Sequence, residues 1–211
     1  SNEDDATIVV FDLAAKKVIN QIKVGAEPEG VLVTPDGKTL YAASEVASLV
    51  HVIDLASGKI VKNIEVGTRP RRLALTPDGK DLWVSCELSA SVSIIRAADH
   101  TVAGSVKFEP KGFRTNEITP VGITFGADGK TAFVTLGRAN HVAVVDVASR
   151  TVRNLILVGK SAWGVALSLD NTTLYVANGL SDDVSVIDVA SGRAVKTVKA
   201  GRVPHSVVID D

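Results

Sequence analysis

"TPDGKTLYAAS", residues 34–44, decides the fold because the chain repeats it. Residues 76–86 read "TPDGKDLWVSC", 126–136 "GADGKTAFVTL" and 168–178 "SLDNTTLYVAN". The turn aspartates Asp36, Asp78, Asp128 and Asp170 are separated by 42, 50 and 42 residues. A second phrase, Val-x-Asp, places Asp12, Asp54, Asp146 and Asp188 in register, with Arg96 in the aspartate's place, at steps of 42, 42, 50 and 42. Two independent markers give one period, and the third copy carries an insertion.

Within one copy, "GVLV" follows Pro28, then come the "PDG" turn, "TLYAA", "LVHVID", the "LASGK" turn and "IVKNIEV". Short strands closed by Asp-Gly and Ser-Gly turns are hairpin chemistry. Apolar residues on both faces mean that each small sheet is covered on both sides. A period near forty with four antiparallel strands per copy describes an all-β protein, a β-propeller of four-stranded blades. A helical solenoid would show apolar residues at helical spacing, and no copy does.

The copies divide a single domain, 1–211, into units of about 1–29, 30–71, 72–121, 122–163 and 164–205, with a final strand at 206–211. Ser206–Asp211 falls in register with Gly30–Pro35, the innermost strand of a blade, and Ser1–Asn2 with Ala43–Ser44. The last strand is therefore expected to complete a blade shared with the amino-terminal strands, because edge strands otherwise stay unpaired. Either about five blades close in this way, or the chain is an arc of a larger ring.

Composition excludes several classes. No run of eighteen apolar residues is present to span a membrane. A formal charge of −1 argues against a nucleic-acid partner. The single cysteine, Cys86, permits neither an intrachain disulfide nor a cysteine-based metal cluster and reads as a small residue ending a strand. No histidine pair has ligand spacing, so no metal site is assigned. A nucleophile elbow, a phosphate loop and a dinucleotide glycine pattern are all missing. A chain opening "SNEDDAT" reads as one whose targeting segment has been removed.

"LYVANGLSDDVSVIDVASGRAVKTVKAGRVPHSVVI", residues 174–209, resembles the YVTN-type β-propeller repeat, with its Leu-Tyr-Val-x-Asn and Val-x-Val-Ile-Asp strands. The third unit, "FEPKGFRTNEITPVGITFGADGKTAFVTLGRANHVAVVD", is similar to the YVTN propellers associated with catabolism dependent on pyrroloquinoline quinone (PQQ). That resemblance implies a ring of about seven blades and a periplasmic or otherwise exported protein. It implies no catalytic residues and no intrinsic cofactor, with PQQ as a ligand to test.

Repetition separates scaffold from site. The Asp-Gly turns recur because they need those backbone angles, and Asp54, Asp146 and Asp188 are expected to cap the turns that follow them. The copies disagree on the other face, in the loops "GAEPEG", "GTRPRR", "FEPKGFRTNEITPVG", "GKSAWG" and "GRVPHS". One repeat position there holds Glu29, Arg71, Val121, Trp163 and His205, a ring around the channel mouth. Arg69, Arg71, Arg72 and Arg114 add guanidinium forks suited to carboxylates and phosphates. The candidate ligand-binding set is Glu29, Arg69, Arg71, Arg72, Arg114, Trp163 and His205, taking an anionic small molecule or a protein partner's acidic loop. The competing reading pairs these cations with Glu27, Glu29, Glu45, Glu87 and Glu117 on the same rim. Trp163 either stacks on a planar ligand or fills the gap beside Ala162.

The functional expectation is a non-catalytic binding or scaffold propeller, accessory to PQQ-dependent alcohol oxidation. Two alternatives stand beside it: a lactonase-like hydrolase using His205 and Glu29, and an envelope protein mediating adhesion.

Overall fold

The computed structural model describes residues 1–210 as a succession of antiparallel sheets. A two-stranded hairpin, β1 (Thr7–Asp12) and β2 (Lys17–Lys23), comes first. Four four-stranded sheets follow. They are β3 (Pro28–Val33), β4 (Thr39–Ser44), β5 (Leu49–Asp54) and β6 (Lys59–Glu65), then β7 (Pro70–Leu75), β8 (Asp81–Cys86), β9 (Ser91–Arg96) and β10 (Thr101–Lys107). The third sheet is β11 (Pro120–Phe125), β12 (Thr131–Leu136), β13 (His141–Asp146) and β14 (Thr151–Leu157). The fourth is β15 (Ala162–Leu167), β16 (Thr173–Asn178), β17 (Asp183–Asp188) and β18 (Arg193–Lys199). These are propeller blades, as the repeat predicts.

The turns form for local reasons. Thr34 Oγ1 and the Lys38 N–H both donate to Asp36 Oδ1, at 2.6 and 3.1 Å, and Gly37 takes a left-handed φ of 69°. Asn171 fills the glycine's place in the last copy at φ 60°, as asparagine tolerates better than most residues. Asp54, Asp146 and Asp188 accept the N–H of Ser57, Ser149 and Ser191 at 2.8, 2.6 and 2.7 Å, which is the expected capping. Where Arg96 replaces the aspartate, Asp99 caps Thr101 at 3.1 Å and pairs with Arg96 at 3.0 Å.

The first strand of each blade is innermost and the last outermost, where β6, β14 and β18 are largely exposed. Successive inner strands approach closely at Gly30, where an added Cβ would lie 2.2 Å from the Arg71 carbonyl, and at Gly122, 2.4 Å from that of Trp163. Apolar clusters lie between blades. Ile8 and Ile22 pack on Leu40 and Ile53, Tyr41 and Val52 on Leu82 and Ile95, Trp83 and Ile94 on Val134 and Val145, and Phe133 and Val142 on Leu174 and Ile187. Each fully buried side chain of this size contributes ~1.5–3 kcal/mol, so blade-to-blade packing holds the molecule together.

Among the described residues no such cluster joins β15–β18 to the first hairpin, so the sheets form an arc. The expected shared blade is not formed. Residues 206–210 carry no regular strand, and β1–β2 remains two-stranded. The segment instead passes beside β15, where the Gly164 N–H donates to the His205 carbonyl at 3.1 Å; Asp211 lies outside the described residues.

Candidate binding site on the inter-blade face

Each inter-blade loop reaches the mouth through one left-handed residue: Glu27, Arg69, Thr119, Ser161 and Val203, with φ between 42° and 59°. Recurrence in every copy makes this conformation part of the scaffold. It delivers the residue two positions later to the rim, which places Glu29, Arg71, Val121, Trp163 and His205 in succession.

An ion cluster occupies the first part of that rim. Arg71 is 8% exposed. Its Nη1 donates to Glu45 Oε1 at 2.5 Å, and its Nε lies 2.7 Å from Glu29 Oε2 and 3.6 Å from Glu87 Oε2. Arg69 Nε donates to Glu45 Oε2 at 2.6 Å and lies 3.3 Å from Glu87. Arg72 Nη1 sits 3.1 Å from Glu29 Oε1, while its Nη2 is 3.5 Å from the His205 ring. Glu29 Oε2, Arg71 Nε and Glu87 Oε2 are in ionic contact yet make no well-aligned hydrogen bond, which is unusual for buried polar atoms.

Aromatic groups continue the rim. The Arg71 guanidinium lies over the Trp163 ring, 5.2 Å from its centroid, in cation–π contact. Trp163 and His205 have ring centroids 4.6 Å apart at 60°. The indole N–H is used by Ser161 Oγ at 2.8 Å, which fixes the ring.

Burial, together with a side-chain hydrogen bond to Glu45, pushes the Glu29 carboxyl up to about 8, against the pull of Arg71 and Arg72. Glu45 moves down in exchange: its burial alone would raise it, and the bonds to Glu29 and Arg69 overcome that. Of this pair Glu29 is the carboxyl that holds a proton more readily, and both sit among the guanidiniums of Arg69, Arg71 and Arg72. His205 is held below the usual histidine range by burial and by Arg72 and Arg71, so its imidazole is neutral there.

Beside this cluster opens a cleft of about 300 Å³ lined by Trp163, His205, Leu180, Val121, Glu87 and Arg138, among others. The structure thus brings together Glu29, Arg69, Arg71, Arg72, Trp163 and His205. Arg114 stands apart. Its backbone N–H is capped by Glu117 Oε2 at 2.8 Å in a helical turn of the insertion, and among the described residues its side chain makes no ion pair. The competing salt-bridge reading holds for Glu29, Glu45 and Glu87; Glu27 and Glu117 form no such bridge among the described residues. Arg138 was not singled out from the sequence, because its repeat position is otherwise anonymous.

Other reactive residues serve the scaffold. His51 bonds the Gly25 N–H at 2.9 Å and Asn63 at 2.7 Å. Burial pushes the Cys86 thiol up, which leaves it unreactive. Among the described residues no three His, Cys, Asp or Glu side chains are arranged to hold a metal ion, and no helix is long and apolar enough to cross a membrane.

These features define a propeller with a charged and aromatic mouth, and the comparisons with known proteins place its family. The family model described as lactonase, 7-bladed β-propeller, matches residues 59–210, and the chain belongs to that family. An arylesterase model matches residues 5–106. No curated protein matches significantly. Among solved structures, a functionally unknown protein from Desulfotomaculum acetoxidans DSM 771 is similar at TM-score 0.84 and 15% identity, over 100% of this chain and 68% of that one. The Kuenenia stuttgartiensis hydrazine synthase is similar at TM-score 0.69 and 18% identity, over 98% of this chain and 84% of that one. Both likenesses concern the fold.

Proposed function

We propose that this chain is a non-catalytic binding propeller whose mouth takes a planar anionic small molecule in the cleft beside Trp163. The observation that carries this reading is the composition of the rim: a guanidinium cluster next to a fixed aromatic pair, with Arg138 on the wall of the cleft. Arg138 on the cleft wall, and Arg72 just outside the cleft between Glu29 and His205, would hold the anionic groups, with Trp163 and His205 against the ligand's face. Arg71 is committed to Glu45 and sets the geometry. PQQ is a ligand of this chemical class, and the resemblance of the third unit supports it together with a periplasmic role beside PQQ-dependent alcohol oxidation.

Family membership favours one second reading, hydrolysis of a lactone at the same mouth. It requires a general base and a polarising group on one reacting atom. His205 is the available base, but its ring faces Trp163 and Arg72, and among the described residues no carboxylate orients it.

A thermal-shift titration against PQQ, citrate, phosphate and calcium, with Arg72→Ala and His205→Ala in parallel, tests the proposal. A ligand at a hundred times its Kd stabilises the native state by ~2.7 kcal/mol, easily seen in a melt. The expected result is a shift with PQQ that both variants lose. Lactone turnover abolished by His205→Ala would replace it with the hydrolase reading, and no shift with any compound would remove the small-molecule site.

A further inference from the structure

A departure from the repeat and a turn without a side chain meet in one groove on the turn face, between sheets β11–β14 and β15–β18. In three copies the residue two places before the turn aspartate carries a hydroxyl. Thr34 donates to Asp36 at 2.6 Å, Thr76 to Asp78 at 2.8 Å and Ser168 to Asp170 at 2.6 Å. The same hydroxyl accepts the backbone N–H of Thr39, Asp81 and Thr173 at 3.1, 3.0 and 2.9 Å. In the third copy that residue is Gly126. Asp128 keeps the N–H of Lys130 at 2.9 Å, but Gly126 offers neither a donor to Asp128 nor an acceptor to Thr131.

The second feature is Gly192, which, like Gly58 in the first four-stranded sheet, carries no side chain at this turn. At its place in the two preceding blades, side chains reach back and plug the groove. His100 Nδ1 meets the Tyr41 hydroxyl at 3.1 Å, and Arg150 Nη1 donates to the Ala103 carbonyl at 2.6 Å. Glycine leaves this groove open as a cavity of about 590 Å³, with Phe133, Val144, Leu167 and Val189 as an apolar floor and Asp128 and Thr131 on its wall.

We propose that this groove binds a small apolar alcohol. The ligand's hydroxyl takes the place of the missing side-chain hydroxyl, donating to Asp128 Oδ1 and accepting from the Thr131 N–H, while its hydrocarbon body covers Phe133 and Leu167. Three sibling turns show that one hydroxyl makes both bonds at once. An ammonium donates to Asp128 but cannot accept from Thr131, and a bare hydrocarbon does neither. This site lies on the face opposite the channel mouth and stands independently of the reading given for that mouth.

Benzyl alcohol, benzylamine and toluene, titrated separately and followed by amide NMR, test it. The expected result is saturable benzyl alcohol binding that shifts the Thr131 and Asp128 amides, with the other two probes about tenfold weaker, the worth of one hydrogen bond. Gly126→Thr rebuilds the hydroxyl of the other copies and should abolish binding while the fold stays intact. Gly192→Arg combined with Asn154→Gly copies the Arg150–Gly104 arrangement and should do the same; His100 and Arg150 already hold φ of 56° and 58° there, against 61° at Gly192. Equal binding of the three probes, binding retained in Gly126→Thr, or no shift at Thr131, which would mean a water-filled gap only, each overturns the proposal.

Discussion

The two halves of the arc share a backbone and differ at the mouth. Sheets β3–β6 and β7–β10 present Glu45 and Glu87 just after their second strands, where β11–β14 and β15–β18 present Gly137 and Gly179. The first half consequently buries an ion cluster around Arg71, and the second half leaves a cleft beside Trp163. One scaffold position thus sets either charge or space, and the mouth's chemistry arises where the two halves meet.

That comparison breaks most visibly at Glu45. Glu45→Leu removes the closest partner of buried Arg71 and should destabilise the protein by ~3–5 kcal/mol, read from the urea midpoint. A change below ~1 kcal/mol would mean that Arg71 is solvated and the halves do not differ in this way.

The pH dependence sharpens it next. An acid whose folded value is raised to about 8 binds a proton that the unfolded chain releases near its ordinary value. The folded state therefore carries the extra proton between roughly pH 5 and 8, and stability falls as pH rises through that window. The slope is at most ~1.4 kcal/mol per pH unit for one proton, and it flattens above the folded value. Glu45, lowered, contributes in the opposite sense and only at acidic pH, where its stabilisation is lost as pH falls. Glu29→Gln should remove the slope between neutral pH and 8 in urea melts at a series of pH values.

The smallest stability effect belongs to Arg72. Its partly exposed pair with Glu29 should be worth ~0–1 kcal/mol, so Arg72→Ala melts close to the parent while losing the PQQ shift. Loss of several kcal/mol would make Arg72 part of the buried cluster rather than of the binding edge.

Much of this was legible in the sequence, because each blade must make the same turns and bury the same stripe. Asp36, Asp78, Asp128 and Asp170 mark the period, and the Thr or Ser partners of all but Asp128 explain why. The ring position after each inter-blade turn was equally readable, and Arg72 carries a plain signal, since Gly30, Gly122 and Gly164 hold its place in other copies. The pairing was not readable. Glu45 meets Arg69 and Arg71 only because blade packing lays the loop of one sheet on the inner strand of the next. Arg114 is near the ring in sequence, yet it caps a helical turn of the insertion and among the described residues joins no ion pair. Residues 206–210 have the register of an inner strand but no strand pairs with them here.

The central claim is that packing in the ion cluster drives Glu29 above and Glu45 below the ordinary carboxylate range. A carbon-detected NMR titration of the glutamate carboxyls measures it directly. The account predicts one carboxyl titrating near 8 that vanishes in Glu29→Gln. All glutamates titrating below about 5, in the ordinary carboxylate range, would contradict it.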